Sequence, residues 1–344
     1  MRRTTMKLNR GINLGGFLSQ CNHEKEHYQT FITQKDIQNI ANWGFDHVRL
    51  PIDCQVLEHE DGSDNEEDIV HVTDTVVWCK EAGLNIILDL HKAYGYDFND
   101  AGDTAANNLF TNKKLQDRFV NLWSKMAKRY SSYDNVALEL LNEVVEKENA
   151  LAWNKLITKT VEAIRDITLD TFIIYGGIQW NSVKTLKLLD VPKHDNILFT
   201  FHFYEPLIFT HQKAYWVKGM DPEKDIFYPE SMDYYNEKSK VLGYQGEVVT
   251  KAETKLMGTE FITEMVKEAI DAAEKAEVGL YCGEFGVIDR APIEDTFHWF
   301  QDVNEVFTEN NIGFSVWSYK EMDFGLIDEH YDEIRDRLLS IWMK

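Results

Sequence analysis

Residues 136–143 read VALELLNE, and residues 279–286 read GLYCGEFG. Each is a short, nearly continuous apolar run that carries an acidic residue at its polar end, Glu143 in the first and Glu284 in the second. Runs that are apolar throughout, rather than alternating, suit strands covered on both faces. Six further runs share this character: RGINLGG (10–16), HVRLPID (47–53), NIILDLH (85–91), TFIIYGG (171–177), ILFTFHFY (197–204) and FSVWSYK (314–320).

Helix-like stretches separate the runs. They are predicted at Thr33 to Trp43, Ile69 to Ala82, Lys113 to Tyr130, Ala150 to Asp166, Val183 to Leu189, Thr259 to Ala276, Ile293 to Asn310 and Tyr331 to Met343. The first opens with Thr33 three residues before Asp36, as in a capping box, and stops at Gly44. Eight strands alternating with eight helices predict an α/β fold, a (β/α)8 TIM barrel closed by the eighth strand pairing with the first. An open doubly wound sheet is the rival, but no strand is followed by a GxGxxG or phosphate-binding loop.

One connection breaks the rhythm. Residues 205–258 are rich in aromatic and charged residues and follow the sixth strand. A structureless loop of that length is out of place in a compact domain, so a small inserted lid or subdomain over the mouth is expected within a single catalytic domain spanning 1–344. The acidic stretch from Glu58 to Asp68 reads as an exposed loop.

Composition narrows the partners. With 58 acidic against 36 basic residues, the formal charge of -22 disfavours nucleic acid and anionic membranes, though it also serves simply as a solvated surface. The four cysteines, Cys21, Cys54, Cys79 and Cys282, lack metal-ligand or CxxC spacing and read as buried free thiols. No run of about 18 apolar residues is present to span a bilayer. The start, MRRTTMKLNRGINLGG, is basic but lacks an apolar stretch of signal-peptide length. These features point to a cytoplasmic protein, or a secreted one if a leader precedes this sequence; a monomer is expected, though no residue pattern speaks to oligomeric state.

In a barrel, the C-terminal strand ends surround one mouth, so polar residues far apart in sequence become neighbours there. Those residues are Arg49, Asp53, Asp89, His91, Asn142, Glu143, His202, Tyr204, Glu284 and Trp317. Singly, each has a bland reading: a structural histidine, a core tryptophan, a buried ion-pair arginine, or an asparagine capping the next helix. Together they place two carboxyl groups, Glu143 and Glu284, where they can face each other across a substrate, the minimum equipment for breaking a glycosidic bond.

The same residues carry a resemblance. LLNE, CGEFG, HVRLP, LDLH, HFY and VWSYK resemble, as a set, the signatures of family 5 glycoside hydrolases, the cellulase family of clan A, over nearly the whole chain. The chain is similar in particular to clostridial endoglucanases with a subdomain inserted after strand six. The resemblance implies a retaining endo-β-1,4-glucanase without cofactor or metal, acting on a β-linked polysaccharide or oligosaccharide. Glu143 is then the acid/base and Glu284 the nucleophile, with Arg49, His91, Asn142, His202, Tyr204 and Trp317 binding substrate or supporting the pair. Arg49 and the Tyr204 hydroxyl would hold the Glu284 pKa low, while desolvation and the nearby Glu284 charge would raise that of Glu143. Asn142 would hydrogen-bond the sugar 2-hydroxyl, and a carboxyl separation of roughly 5 to 5.5 Å is expected.

Several points stay open at this level. Phe17, Tyr94, Trp180, Tyr204 and Trp216 can line sugar subsites or pack in the core. Lys92 stands where many relatives have histidine or asparagine. Mixed-linkage glucanase, mannanase or glucomannanase, and xyloglucanase activities use the same pair of glutamates. A metal-dependent barrel built on His91, His202, Glu143 and Glu284 is a rival from another class, and a non-catalytic binding protein is a third.

Overall fold

The computed structural model describes residues 6–344, so Arg2 and Arg3 of the basic start lie outside the described residues. Eight parallel strands form a closed barrel in sequence order: β1 (Arg10–Asn13), β2 (His47–Asp53), β3 (Asn85–Lys92), β4 (Val136–Glu139), β5 (Phe172–Gly176), β6 (Ile197–Phe203), β7 (Gly279–Phe285) and β8 (Gly313–Val316). Closure runs through β1, which pairs with β2 on one side and β8 on the other.

Successive side chains on a strand point to opposite faces, and here the two faces are chemically different. Val48, Leu50, Ile86, Leu88 and Leu138 join the main core beneath the surrounding helices. The alternate positions Ile87, Ala137, Ile174 and Tyr281 form a separate apolar plug with Leu8 inside the barrel. One register step further towards the mouth, the same interior face turns polar: Asp89 lies opposite Glu139, and Asn13 lies opposite Arg49. The plug excludes water from below, so these polar groups must satisfy one another.

Most helices form where the periodicity placed them, but the last is Arg335–Trp342 rather than Tyr331 to Met343, preceded by a 3-10 turn at Glu329–Tyr331. The helix Gln34–Asn42 begins after Thr33, whose N–H donates to the Asp36 carboxylate at 2.8 Å. Lys113–Tyr130 buries Phe119, Leu122, Trp123, Met126 and Tyr130 along one stripe, the spacing of a helix lying on a sheet. Val183–Leu188 is a 3-10 helix rather than an α-helix, and residues 205–258 hold short helices at Leu207–Thr210, Met232–Ser239 and Glu247–Thr250. Ile226, Tyr228, Met232, Tyr235, Leu242 and Val249 of that connection are buried and join the main core, and the Tyr228 hydroxyl donates to Asp302 at 2.7 Å.

Two expectations are corrected. Glu58–Asp68 is not simply an exposed loop: Glu58 is 1% exposed and pairs with Arg118 at 2.6 Å and Lys125 at 3.3 Å, and buried Asn65 caps the helix Glu66–Ala82. A carboxylate can be buried there because two cations reach it from Lys113–Tyr130. Of the four free cysteines, Cys54, Cys79 and Cys282 are buried, but Cys21 is only partly so. Among the described residues no helix is long and apolar enough to cross a membrane.

Three buried tryptophans tie helices to the carbonyls of the strand ends. Trp123 donates to Leu140 at 3.1 Å, Trp153 to Gly176 at 2.9 Å and Trp299 to Glu205 at 3.0 Å. Each bond holds a segment that leads directly into the mouth. Trp123→Phe removes the donor and orphans the Leu140 carbonyl, three residues before Glu143. It should lower the unfolding free energy by about 2 kcal/mol in urea titration; an unchanged midpoint would show that the bond contributes nothing.

Candidate active site

The site starts from Arg49, whose guanidinium is fully buried inside the barrel. Its Nε and Nη2 make a two-pronged pair with Glu139 at 2.8 and 3.0 Å. Nη1 donates to Asn13 at 3.0 Å and to Glu284 at 2.7 Å, while Nη2 also reaches Asn142 at 2.9 Å and Asp89 at 3.0 Å. One cation therefore faces three carboxyl groups from β3, β4 and β7. Burial drives the Asp89 carboxyl up to about 7, against the pull of Arg49, and drives Glu139 upward in the same way. Nη1 is the prong of Arg49 that reaches Glu284.

Glu284 has a second donor. The Tyr204 hydroxyl, from the end of β6, lies 3.1 Å from its Oε2. The contacts expected of Arg49 and Tyr204 are both present.

Glu143 sits beyond the end of β4, at φ 42° in the left-handed region. That conformation costs about 1 kcal/mol in a non-glycine residue and needs outside support. Tyr96 supplies it: its hydroxyl donates to the Glu143 carbonyl at 2.9 Å and accepts from the Val145 N–H at 2.7 Å. The Glu143 side chain is 12% exposed. Burial pushes its carboxyl up to about 7, while His91 and Arg49 pull the other way. Desolvation is thus the cause of the upward shift, and the Glu284 charge invoked from the sequence is not needed for it.

His202 stands between the two glutamates. It pairs with Glu284 across the β6–β7 register, and its Nδ1 lies 2.7 Å from Glu143 Oε1 and 3.5 Å from Glu284 Oε2. Burial lowers its pKa to about 4, so the ring is neutral near pH 7. One oxygen of Glu143, one of Glu284 and a nitrogen of His202 all lie within 4.8 Å of one another. Oxygens that approach so closely place the pair nearer the roughly 5–5.5 Å separation of retaining pairs than the roughly 6.5–9.5 Å of inverting ones.

His91 does not join that group. Its Nδ1 bonds Asp89 at 2.7 Å and its ring stacks on Trp317, 6.0 Å between centroids at 5°. Of the four residues read from the sequence as a metal set, Glu143, His202 and Glu284 come together and His91 does not, with His202 Nδ1 2.7 Å from Glu143 Oε1. The 2.7 Å contact is a hydrogen bond, and the arrangement is built for proton transfer.

Asn142 accepts from Arg49 through Oδ1, and its buried Nδ2 has no partner, a donor held ready at the mouth. Trp317 is 7% exposed. Lys92 is paired with Asp97 at 2.7 Å. Asp53 bonds Ser19 at 2.6 Å and His23 at 3.1 Å. Of the aromatic candidates, Phe17 is fully buried, and Tyr94 has its face covered by Arg118 at 3.5 Å, so neither offers a ring to a sugar. Trp180 and Trp216 are exposed. Glu139, Asn13 and Tyr96 were not singled out from sequence. The acid inside VALELL and the asparagine inside RGIN were the available signals, and for Tyr96 there was none.

The profile of the family described as Cellulase (glycosyl hydrolase family 5) matches residues 9–323. Endoglucanase C of Acetivibrio thermocellus is 40% identical over 336 residues, covering 96% of both chains. Cellodextrinase A of Ruminococcus flavefaciens is 37% identical, covering 88% of this chain and 83% of its own. The crystal structure of endoglucanase Cel5A from Thermotoga maritima shares the fold at TM-score 0.75, with 24% identity and 97% of each chain covered.

Arg49→Lys tests the hub. A lysine is a single point charge and cannot make the forked contacts, so two buried carboxyl groups lose partners. We expect kcat to fall at least about 100-fold and stability to fall by about 3 kcal/mol; near-normal turnover in the folded variant would remove Arg49 from the centre of the site.

Proposed function

The chain belongs to the cellulase family, glycosyl hydrolase family 5, and from that membership we propose that it is a retaining endo-β-1,4-glucanase in which Glu284 is the nucleophile and Glu143 the acid/base. The observation that carries the division of roles is the unequal environment of the two carboxyls. Glu284 receives Arg49 and Tyr204, as an attacking carboxylate requires, whereas burial holds Glu143 protonated up to about pH 7.

In the first step a Glu284 oxygen bonds to the anomeric carbon as the bond to the leaving sugar oxygen breaks, and that oxygen takes the Glu143 proton. In the second, water gives its proton to Glu143 and its hydroxyl to the anomeric carbon, and Glu284 leaves as carboxylate. The unpartnered Asn142 Nδ2 donates to the sugar 2-hydroxyl, an interaction that strengthens in the transition state. Trp317 offers the pyranose an apolar face. The endoglucanase and cellodextrinase names of the relatives support β-1,4-glucan as the substrate, and residues 205–258 are proposed as a lid beside the mouth.

Three measurements test this. Viscosity loss should outpace reducing-end release on carboxymethylcellulose, with laminarin left intact; degradation of laminarin alone would sink the β-1,4 assignment. Glu284→Gln should abolish turnover, while Glu143→Ala should spare activated aryl cellobiosides and accept azide; the reverse pattern exchanges the roles. Glu143 works protonated and its pKa is raised, so kcat/KM should hold below, and fall as pH rises through, about 7.

A further inference from the structure

Residues 179–181 form a turn of unusual backbone. Gln179, Trp180 and Asn181 all lie in the left-handed region, at φ 54°, 58° and 53°. Each costs about 1 kcal/mol relative to the right-handed basin, so three in succession need compensation. The turn bridges the end of β4, which leads to the acid/base, and the end of β6, which carries His202. The Trp180 N–H donates to the Val144 carbonyl at 3.3 Å, next to Glu143, and the Asn181 carbonyl accepts from the His202 N–H at 3.0 Å.

The side chain of Asn181 is buried, 1% exposed, and its Nδ2 lies 3.3 Å from His202 Nε2. Its Oδ1 has no partner and lies over Gly176, where a Cβ would come within 2.4 Å of it. Glycine at 176 makes room for this amide. The orientation follows from the other ring nitrogen. Nδ1 faces oxygens of Glu143 and Glu284, and with the proton assigned there Nε2 is a bare acceptor that the NH2 end of Asn181 complements.

We propose that Asn181 is a positioning residue that fixes the tautomer of His202 and thereby selects which oxygen of Glu143 carries the transferable proton. With Nδ1–H donating to Oε1, the proton of the neutral acid resides on Oε2, the oxygen left for the leaving group. The inference rests on Glu143 being the acid/base. Around this pair stand Arg49 from β2, Asp89 and His91 from β3, Glu139 from β4, Tyr204 following β6, Glu284 from β7 and Tyr96 from the loop after β3; none of them contacts Nε2.

Two variants keep the backbone conformation. Asn181→Gly tolerates positive φ and deletes the amide, and Asn181→Asp is isosteric but replaces the donor by an acceptor. On cellotetraose, whose leaving group needs the proton, Asn181→Gly should lose about 10- to 100-fold in kcat/KM. On 2,4-dinitrophenyl cellobioside, which does not need it, the loss should stay within about threefold. In Asn181→Asp the new carboxylate draws a proton onto Nε2, and the resulting imidazolium favours ionised Glu143. The alkaline limb of the kcat/KM profile on cellotetraose should therefore move to lower pH by about one unit.

Equal losses on both substrates, or an unmoved alkaline limb, would reduce Asn181 to a backbone brace and overturn the proposal. Glu143→Ala run in parallel separates the two readings. If it too loses the dinitrophenyl substrate, the acid/base assignment falls and takes the tautomer with it. If it spares that substrate while the Asn181 variants lose both equally, only the tautomer reading falls.

Discussion

A single buried guanidinium organises this molecule. Arg49 contacts Asn13, Asp89, Glu139, Asn142 and Glu284, groups carried on or just beyond β1, β2's neighbour β3, β4 and β7. Taking a charge out of water costs several kcal/mol, and the cost is offset only when every donor finds an acceptor in good geometry. Those acceptors exist only when the strands are in the observed register, with Asp89 level with Glu139 and Asn13 level with Arg49. The same contacts that make burial tolerable therefore fix where Glu284 and Asn142 point. Charge is not balanced within the cluster, and the structure resolves this by burial, which moves Asp89 and Glu139 towards neutrality.

The rest of the site is layered on that hub. The apolar plug of Ile87, Ala137, Ile174 and Tyr281 closes the barrel below it and keeps water out, which strengthens each electrostatic contact above. Tryptophans from the helices hold the backbone where the strands end. Above the strand ends, irregular chain takes over: Glu143 and the 179–181 turn adopt left-handed conformations that the surrounding hydrogen bonds sustain. Strain of this kind is tolerated where rigid elements on every side over-determine it.

Much of this was legible in the chain. Buried parallel strands read as near-continuous apolar runs, so VALELLNE and GLYCGEFG stand out, and the polar residues ending such runs point to a site only when taken together. The helix Thr259–Ala276 was read with its observed limits because its apolar stripe is regular. The Val183–Leu188 segment was read as a helix but is 3-10, since so short a stretch does not separate the two patterns. Glu58 was misjudged because the acids around it are exposed, and nothing local reveals that Arg118 and Lys125 converge on it.

Sequence alone determined the barrel and placed Arg49, His91, Asn142, Glu143, His202, Tyr204, Glu284 and Trp317 at or just beyond the strand ends, because hydrophobic period and chain order govern strands and their ends. Tertiary structure decided the surroundings of each of those residues. Which carboxyl gains a proton depends on burial and on donors contributed by distant strands. Which histidine faces the glutamates depends on register: His202 lies beside Glu284, and His91 turns to Asp89. The parts played by Glu139, Tyr96 and Asn181 arise only when non-neighbouring segments meet, since hydrogen bonds and desolvation act over a few ångströms of space and not along the chain.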